Sequence, residues 1–284
     1  MTTDHTTHVN GLRLHHREWG DPLAPPVLVL HGIMGHSREW DVLTAALAER
    51  FHVFAVDQRG HGESAWAPDY SVDALAADLV GLVRRVAVAP VRLVGHSLGG
   101  MASLVTTADR PDLVERLVLV DVGPETLSSP WGRDELPGML SGLAETSYAD
   151  PRDAVDEWLE GDPLAREPLV RHYVTHCLVR GADGRWHWRF DGHGLARQAV
   201  TGFVTEARLW DAVDRVRVPT LLVRGEHSTL LTRDAADRTV RRLADGRLVE
   251  ITGGGHDLGV ERPEAVTDAV RAFLDPAASA RRAS

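Results

Sequence analysis

Residues 91–100 read VRLVGHSLGG, and this stretch decides the fold class. A short apolar run typical of a buried strand leads directly into GHSLG at 95–99, and helical spacing of apolar residues follows. A tight strand-to-helix turn leaves little room around the serine backbone, so it requires glycines two residues before and after the serine. Such a turn presents the serine hydroxyl at the carboxyl edge of a parallel sheet, where open α/β folds bind ligands. The pattern predicts a nucleophile at Ser97; the alternative is a helix N-cap serine with glycines nearby for packing.

The alternation of strand and helix patterns extends to both sides of this stretch. Short apolar runs predict buried strands at 27–30, 52–56, 91–95, 116–120, 219–225 and 247–251. Apolar residues at three- and four-residue spacing predict helices at 37–50, 71–88, 97–109 and 232–244, and a last helix that begins at Pro263. The turn Asn10-Gly11 before residues 12–19 predicts an N-terminal antiparallel hairpin. The alternation therefore predicts an α/β fold, a mostly parallel central sheet with helices on both faces.

Residues 123–205 interrupt this alternation with helical pieces that are rich in aromatic residues. We predict a mainly helical cap here, inserted into a core formed by residues 1–122 and 206–284, with a disordered tail at 275–284. An aromatic-rich cap over a sheet edge implies an apolar pocket for a small molecule. Near the predicted catalytic loops, Trp40 and Met101 are candidate substrate-binding residues. Within the cap, Trp186, Trp188 and Phe190 are interpreted as packing residues.

Composition excludes several classes of function. The formal net charge of −10 disfavours nucleic acid as a partner, because phosphate backbones are bound by clustered cationic side chains. Every basic residue is an arginine, which excludes Schiff-base chemistry on a lysine. The single cysteine, Cys177, is interpreted as an inert buried thiol, and the N-terminal residues lack a signal-peptide pattern. We expect a cytoplasmic protein that acts on a small-molecule substrate, with no membrane partner, no cofactor and no metal; a homo-oligomer remains possible.

Four segments together resemble the α/β-hydrolase superfamily. They are HGIMG at 31–35, DQRGHGES at 57–64, GHSLGG at 95–100 and GGGHDLGVERP at 253–263, in the order found in that family. They span most of the chain outside the predicted cap. The resemblance implies an α/β-hydrolase fold and an oxyanion hole formed by the main-chain amides of Ile33 and Leu98. Asp57 and Arg59 are interpreted as structural residues of their loop.

A serine nucleophile needs a general base, and an imidazole that titrates near neutrality suits this role. Among fifteen histidines, His256 stands in a glycine-rich loop after the last predicted strand, at the end of the chain order Ser, Asp, His that this fold uses. The resemblance gives His31 and His96 packing roles. Five of the other histidines are interpreted as surface or cap residues: His15, His16, His172, His187 and His193.

The acid of the predicted triad is displaced from its usual place in the family, the loop after the strand TLLVR. That loop reads RGEHSTLLT, with Ser228 and Thr229 where a carboxylate is expected, and neither can stabilise an imidazolium by charge. The preceding strand ends in LVLVD, which makes Asp121 the favoured candidate; the alternatives are Glu226, Asp234 or a site without a carboxylate. Some small-ester hydrolases of the superfamily resemble this arrangement.

These residues predict a serine hydrolase that cleaves a small or medium carboxylic ester, lactone or thioester through an acyl-enzyme on Ser97. Relatives that use an aspartate nucleophile are disfavoured because a serine holds the position. A C–C bond hydrolase or a cofactor-free perhydrolase would keep the same residues and remains an alternative. So does a non-hydrolytic small-molecule binding protein, because fold does not determine function.

Overall fold

The computed structural model describes residues 2–87, 90–129 and 131–275. The strands of this part of the chain are β1 (Thr3–Val9), β2 (Leu12–Trp19), β3 (Pro26–Leu30), β4 (His52–Val56), β5 (Val91–His96), β6 (Val114–Val120), β7 (Ser147–Tyr148), β8 (Leu178–Arg180), β9 (Trp186–Trp188), β10 (Thr220–Gly225) and β11 (Gly246–Ile251). Eight of them form one sheet in the order β1-β2-β4-β3-β5-β6-β10-β11. Strand β2 pairs antiparallel with β1 and β4, and every other pairing in this sheet is parallel. The predicted mostly parallel sheet and N-terminal hairpin are confirmed.

Helices cover both faces of this sheet. They are α1 (Asp41–Leu47), α2 (Val72–Val86), α3 (Ser97–Asp109), α4 (Leu136–Glu145), α5 (Pro151–Gly161), α6 (Glu167–Cys177), α7 (Gly192–Thr201), α8 (Glu206–Arg215), α9 (Arg233–Arg242), α10 (Leu258–Glu261) and α11 (Pro263–Leu274). The strand residues Leu28 and Leu30 are buried with α2, α3 and α8, whereas Val27 and Val29 are buried with α1 and α11. Successive residues of a strand point to opposite faces, so a fully apolar strand needs a helical layer on each side.

The predicted helix at 37–50 begins later than its pattern indicates. Residues 37–40 form turns, and α1 begins at Asp41. The main-chain N–H of Ser37 donates to Asp57 Oδ1 at 2.5 Å, which ties this segment to the loop after β4. A tertiary hydrogen bond thus replaces the first helical turn. The predicted disordered tail at 275–284 falls, beyond Asp275, outside the described residues.

The chain between β6 and α8 contains α4 to α7 and a second, small antiparallel sheet in the order β7-β9-β8. This sheet was not foreseen in the mainly helical prediction. Trp188, on β9, lies edge-on to Tyr148 and tilted against Trp158, with ring centroids 6.0 and 6.4 Å apart. These aromatic side chains pack against one another within the insertion. The domain limits at 123 and 205 stay a prediction.

The surface position predicted for His15 and His16 is wrong. Both lie in β2, which is paired on both sides, and they are 6% and 1% exposed. His15 Nδ1 lies 2.7 Å from Asp57 Oδ2, and the His16 ring packs against Phe54. Burial lowers the pKa of His16 to about 4, so this imidazole is neutral at physiological pH. Polar side chains in a strand pattern resemble surface residues until their partners are known.

Among the described helices, none is both long and apolar enough to cross a membrane.

Candidate active site

Ser97 stands at the turn between β5 and α3. Its φ of +48° lies in the left-handed region, which a non-glycine residue rarely adopts and which clusters at functional sites. A Cβ on Gly95 would lie 2.6 Å from Gly100 Cα, and a Cβ on Gly99 would lie 2.5 Å from the carbonyl oxygen of His31. Both positions therefore exclude any larger residue. The tight turn predicted from the glycine spacing is present.

Asp121 and His256 meet beyond the carboxyl ends of β6 and β11. His256 Nδ1 lies 2.7 Å from Asp121 Oδ2, and the Asp121 side chain is fully buried. Asp121 Oδ1 also accepts the N–H of Gly225 at 3.0 Å, and Oδ2 accepts the hydroxyl of Ser228 at 2.5 Å. The φ of Asp121 is +47°, a second left-handed non-glycine residue at this edge of the sheet. One carboxylate oxygen is thus held by the last residue of β10 and the other by the loop after it.

The two other candidate carboxylates lie elsewhere. Glu226 Oε2 accepts the N–H of Gly253 at 2.8 Å, and its side chain is 44% exposed. Asp234 is exposed in the first turn of α9. Sequence reasoning treated Ser228 only as a missing acid, yet the structure makes it a donor to the carboxylate that replaces that acid. The sequence signal for this contact is a serine in the loop that usually carries the acid, combined with an aspartate at the end of the preceding strand of the core.

The loop after β3 lies against the Ser97 turn. A Cβ on Gly32 would lie 3.2 Å from Ser97 Cβ, and Met34 in the same loop has a φ of +66°. Ile33 and Leu98 line the same pocket as Ser97. Leu98 is in the first turn of α3, where main-chain N–H groups have no intrahelical partner and suit an anion. The oxyanion-hole role of Ile33 and Leu98 stays a prediction.

The pocket at Ser97 is narrow, with a cavity volume of about 10 Å³. Its remaining walls are Met101, Thr126, Leu127, Trp131, Leu136, Phe203 and Leu230, most of which come from the insertion or its edges. A second, outer cavity of about 400 Å³ shares Leu127 and Phe203 with it. Met101 thus occupies the wall where a substrate contact was predicted. Trp40 is in the hydrophobic core instead, 3% exposed and edge-on to His96, and is absent from the pocket wall.

Two further buried carboxylates hold the main chain around His256. His96 Nδ1 lies 2.9 Å from Glu39 Oε1, and His96 Nε2 lies 3.0 Å from the carbonyl oxygen of His256. On the other side, Glu261 accepts the N–H groups of Gly255 and Asp257. Sequence reasoning missed Glu39 and Glu261, because a carboxylate outside any motif is indistinguishable from a surface residue.

Burial, together with the negative charges of Asp162 and Asp257, raises the pKa of Glu261 to about 7 against the opposing effect of the two N–H donors. Burial alone would lower the pKa of His96, but the hydrogen bond and negative charge of Glu39 outweigh it and raise this pKa to about 9. The paired Glu39 carboxyl has a lowered pKa, since the His96 contact outweighs its own burial. His96 and Glu39 therefore form a buried ion pair at neutral pH.

His96, His256 and Asp257 offer potential metal-ligand atoms within 4.8 Å of one another. Both ring nitrogens of His96 and Nδ1 of His256 are already hydrogen-bonded to protein groups. A transition metal needs unprotonated nitrogen lone pairs, so it would have to break these contacts. We do not identify this set as a metal site.

Comparison with known proteins identifies the family and the fold. The model of the alpha/beta hydrolase family matches residues 27–269. Esterase Rv0045c of Mycobacterium tuberculosis is 34% identical over 265 residues, which cover 90% of this chain and 85% of that protein. The 2-(acetamidomethylene)succinate hydrolase of Mesorhizobium japonicum is 32% identical over 275 residues, 94% of this chain and 93% of that protein. A solved structure of E-2-(acetamidomethylene)succinate hydrolase superposes with a TM-score of 0.87 at 29% identity, over 97% of this chain and 100% of that one. The chain therefore belongs to the alpha/beta hydrolase family, as an esterase-like member.

Proposed function

We propose that this protein is a serine hydrolase that cleaves carboxylic esters through an acyl-enzyme on Ser97, with His256 as general base and Asp121 as the acid. The observation that carries the proposal is the 2.7 Å contact between Asp121 and His256 Nδ1 beside the strained Ser97 turn. Similarity to an esterase of Mycobacterium tuberculosis supports the same reaction class.

The arrangement supports a two-step mechanism. Asp121 accepts a hydrogen bond from the Nδ1–H of His256, which keeps Nε2 unprotonated so that it can take the proton of Ser97 as the serine oxygen attacks the ester carbonyl. The main-chain amides of Ile33 and Leu98 stabilise the negative charge that develops on the carbonyl oxygen. The imidazolium then protonates the departing alcohol. In the second step a water molecule, deprotonated by His256, attacks the acyl-enzyme and releases the acid.

The pocket favours a small or medium apolar acyl group on an ester, lactone or thioester. Its described lining around Ser97 is apolar apart from Thr126, as is usual for small-molecule sites. Leu127 and Phe203 stand between this pocket and the larger outer cavity. An acyl chain that outgrows the inner pocket would have to pass these two side chains.

A second candidate function is hydrolysis of a substrate that carries carboxylate groups. It is suggested by the relative that is 32% identical to this chain and is named 2-(acetamidomethylene)succinate hydrolase. A succinate group would need cationic donors in the pocket, because a buried carboxylate requires pairing. No arginine occurs among the described side chains that line the pocket at Ser97. The apolar ester is therefore the better candidate. C–C bond hydrolysis and perhydrolysis use the same catalytic groups and remain alternatives.

Labelling with a fluorophosphonate and a panel of aryl esters of increasing acyl length test this proposal. The wild type should be labelled at Ser97 and should hydrolyse the shorter esters. Ser97→Ala should lose labelling and about 10⁶-fold in turnover, the loss known for removal of a triad serine, with an unchanged circular dichroism spectrum. Labelling that persists at another serine would contradict the assignment. Wild-type protein that binds the esters without reacting would favour a binding protein.

The proposal also covers the class of substrate, the cellular location and the oligomeric state. The net charge of −10 supports a small-molecule substrate rather than nucleic acid. A single buried cysteine suits a reducing compartment, which supports a cytoplasmic location. Size-exclusion chromatography with light scattering would test whether the protein forms a homo-oligomer.

A further inference from the structure

A second histidine–carboxylate pair lies directly behind the loop that carries His256. Glu39 precedes α1 and His96 ends β5, and their side chains are 7% and 5% exposed. His96 contacts Glu39 through Nδ1 at 2.9 Å and the carbonyl oxygen of His256 through Nε2 at 3.0 Å. The rings of His96 and His256 lie 4.8 Å apart between centroids. One imidazole thus connects a buried carboxylate to the main chain of the general base.

The protonation state of His96 follows from its two partners. A carboxylate and a carbonyl oxygen can only accept hydrogen bonds, so both contacts form together only when both ring nitrogens carry a proton. The groups that face His96 are Glu39, Asp257 and Asp121, which favour the imidazolium, and His31 and His256, which oppose it when charged. The ion pair with Glu39 at hydrogen-bond distance dominates.

We propose that Glu39 and His96 are positioning residues for the hydrolytic reaction, in which His96 holds the carbonyl of His256 and so fixes the imidazole relative to Ser97. This inference rests on the proposed function. Asp121 orients the ring of His256, but a ring on a glycine-rich loop also needs its main chain held. His96 holds the carbonyl of His256, and Glu261 holds the N–H groups of the two flanking residues, Gly255 and Asp257. Small displacements of a catalytic group cost up to about 10²-fold in rate.

Loss of the His96 proton should release this contact. A neutral His96 keeps its remaining proton on Nδ1, because the charged Glu39 carboxylate is a stronger acceptor than the neutral carbonyl of His256. The lone pair of Nε2 then faces the lone pairs of the His256 carbonyl oxygen, and the two groups repel each other. Since His96 has a pKa of about 9, turnover should fall as the pH rises through this value. The chain has no lysine, and burial raises the pKa of Cys177 and of Tyr70, Tyr148 and Tyr173 above their usual values, so few other groups titrate there.

The first test is the dependence of kcat on pH between 7 and 10.5 for the wild type and Glu39→Gln. The wild type should lose activity several-fold above pH 9. A glutamine at position 39 can donate its amide N–H to Nδ1, which places the single imidazole proton on Nε2, towards the carbonyl of His256. The variant should therefore lack the alkaline decrease. A wild-type profile that is flat to pH 10.5, or a decrease of equal size in Glu39→Gln, would overturn the proposal.

The second test separates the two contacts of His96. An asparagine amide reaches about as far as Nδ1, so His96→Asn keeps a donor to Glu39 and loses the bond to the His256 carbonyl. A glutamine amide reaches about as far as Nε2, so His96→Gln keeps the carbonyl bond; it is made together with Glu39→Gln to avoid a buried unpaired carboxylate. We expect about a 10- to 100-fold lower kcat in His96→Asn with KM changed less than twofold, and a much smaller loss in the double variant. Equal kcat values in the two proteins would contradict the proposal.

The matched control is another buried histidine–carboxylate pair, His15 and Asp57, whose Nδ1 and Oδ2 atoms lie 2.7 Å apart, compared with 2.9 Å for the pair of His96 and Glu39. Asp57→Asn should lower the melting temperature while leaving kcat and its pH profile unchanged. If it reproduces the effects of the His96 variants, those effects reflect stability alone and the proposal is wrong.

Ser97→Ala separates the proposed function from this further inference. Ester turnover that survives in Ser97→Ala overturns the proposed function together with this inference, whereas turnover that needs Ser97 but not His96 overturns only the latter.

Discussion

The core and the insertion meet at Ser97, and they differ in what holds them together. The core supplies Ser97, Asp121 and His256 from loops at the carboxyl ends of β5, β6 and β11. Ser97 and Asp121 have positive φ angles, and directed hydrogen bonds hold Asp121 and His256 in place. The insertion supplies walls such as Leu127 and Phe203, which act by shape and apolar contact. Substitutions in the core should therefore change the rate of reaction, and substitutions in the insertion should change the choice of substrate.

Part of the insertion packs on itself. Tyr148, Val170, Val174 and Leu178 form a separate hydrophobic cluster, joined from the core by Val260. The side chains of the insertion that face the pocket, such as Leu136 and Phe203, belong to the main hydrophobic core instead, so substitutions there change both the shape of the pocket and the packing of the core. Because hydrophobic contact is non-directional, such substitutions should change activity in proportion to the change in shape. The loss of a directed hydrogen bond in the core should instead reduce activity sharply.

After Ser97→Ala, the largest expected effect belongs to Asp121→Asn. An amide of the same size leaves the geometry intact but favours the wrong tautomer of His256, and turnover should fall by about 10⁴, as in the serine-protease triad. Steady-state kinetics with an aryl ester measure this loss. Glu226→Gln and Asp234→Asn are the matched controls and should retain nearly full activity, since neither carboxylate contacts His256 in the described structure. Near-normal turnover in Asp121→Asn would exclude this residue as the acid.

Ser228→Ala should have the next largest effect on the rate. The substitution removes the hydroxyl that donates to Asp121 Oδ2 at 2.5 Å. A hydrogen bond to a charged group contributes about 1.5–3 kcal/mol, which corresponds to roughly a 10- to 100-fold loss of kcat if the bond acts through Asp121. Thr229→Ala, at the exposed neighbouring position, is the control and should leave kcat unchanged. Equal kinetics in the two variants would indicate that Ser228 only shapes the loop.

Phe203→Ala should change acyl-chain selection with a smaller effect on the best ester. Removal of this ring joins the inner pocket to the outer cavity, so kcat/KM for an octanoyl ester should rise relative to a butyryl ester by about tenfold. Competition assays with mixed esters measure the ratio directly. Val204→Ala, which alters only the outer cavity, should leave the ratio nearly unchanged. An unchanged ratio in Phe203→Ala would place the acyl path elsewhere.

Glu261→Gln should give the smallest effect, a pH-dependent change in the melting temperature. Because the pKa of Glu261 is raised to about 7 in the folded state, folding takes up a proton between the usual carboxyl pKa and 7. The contribution of Glu261 to the free energy of unfolding therefore falls as the pH rises from the usual carboxyl pKa to about 7. Glutamine does not titrate, so the melting temperature of the variant relative to the wild type should increase by a few degrees between pH 5 and pH 8, at about 2–4 °C per kcal/mol. A constant difference would show that Glu261 is ionised throughout.

Sequence periodicity was sufficient for most of the core. Strands of apolar residues and helices with three- and four-residue spacing appear where predicted, because both patterns are local consequences of chain geometry. The helix predicted at 37–50 failed in its first turn, where Ser37 donates to Asp57 across the fold. The small sheet of the insertion was missed for a similar reason: strands of two or three residues carry too little pattern to be distinguished from loops.

The sequence by itself determined the turn at Ser97, since the chain can form it only with glycines at 95 and 99. It also narrowed the acid to three carboxylates. Only the tertiary structure decided which of them faces His256, because Asp121 and His256 are 135 residues apart and meet through the order of β6, β10 and β11 in the sheet. The same holds for Glu39 and His96, which are 57 residues apart. Hydrogen bonds between distant residues depend on which strands become neighbours, and no local pattern of residues carries that information.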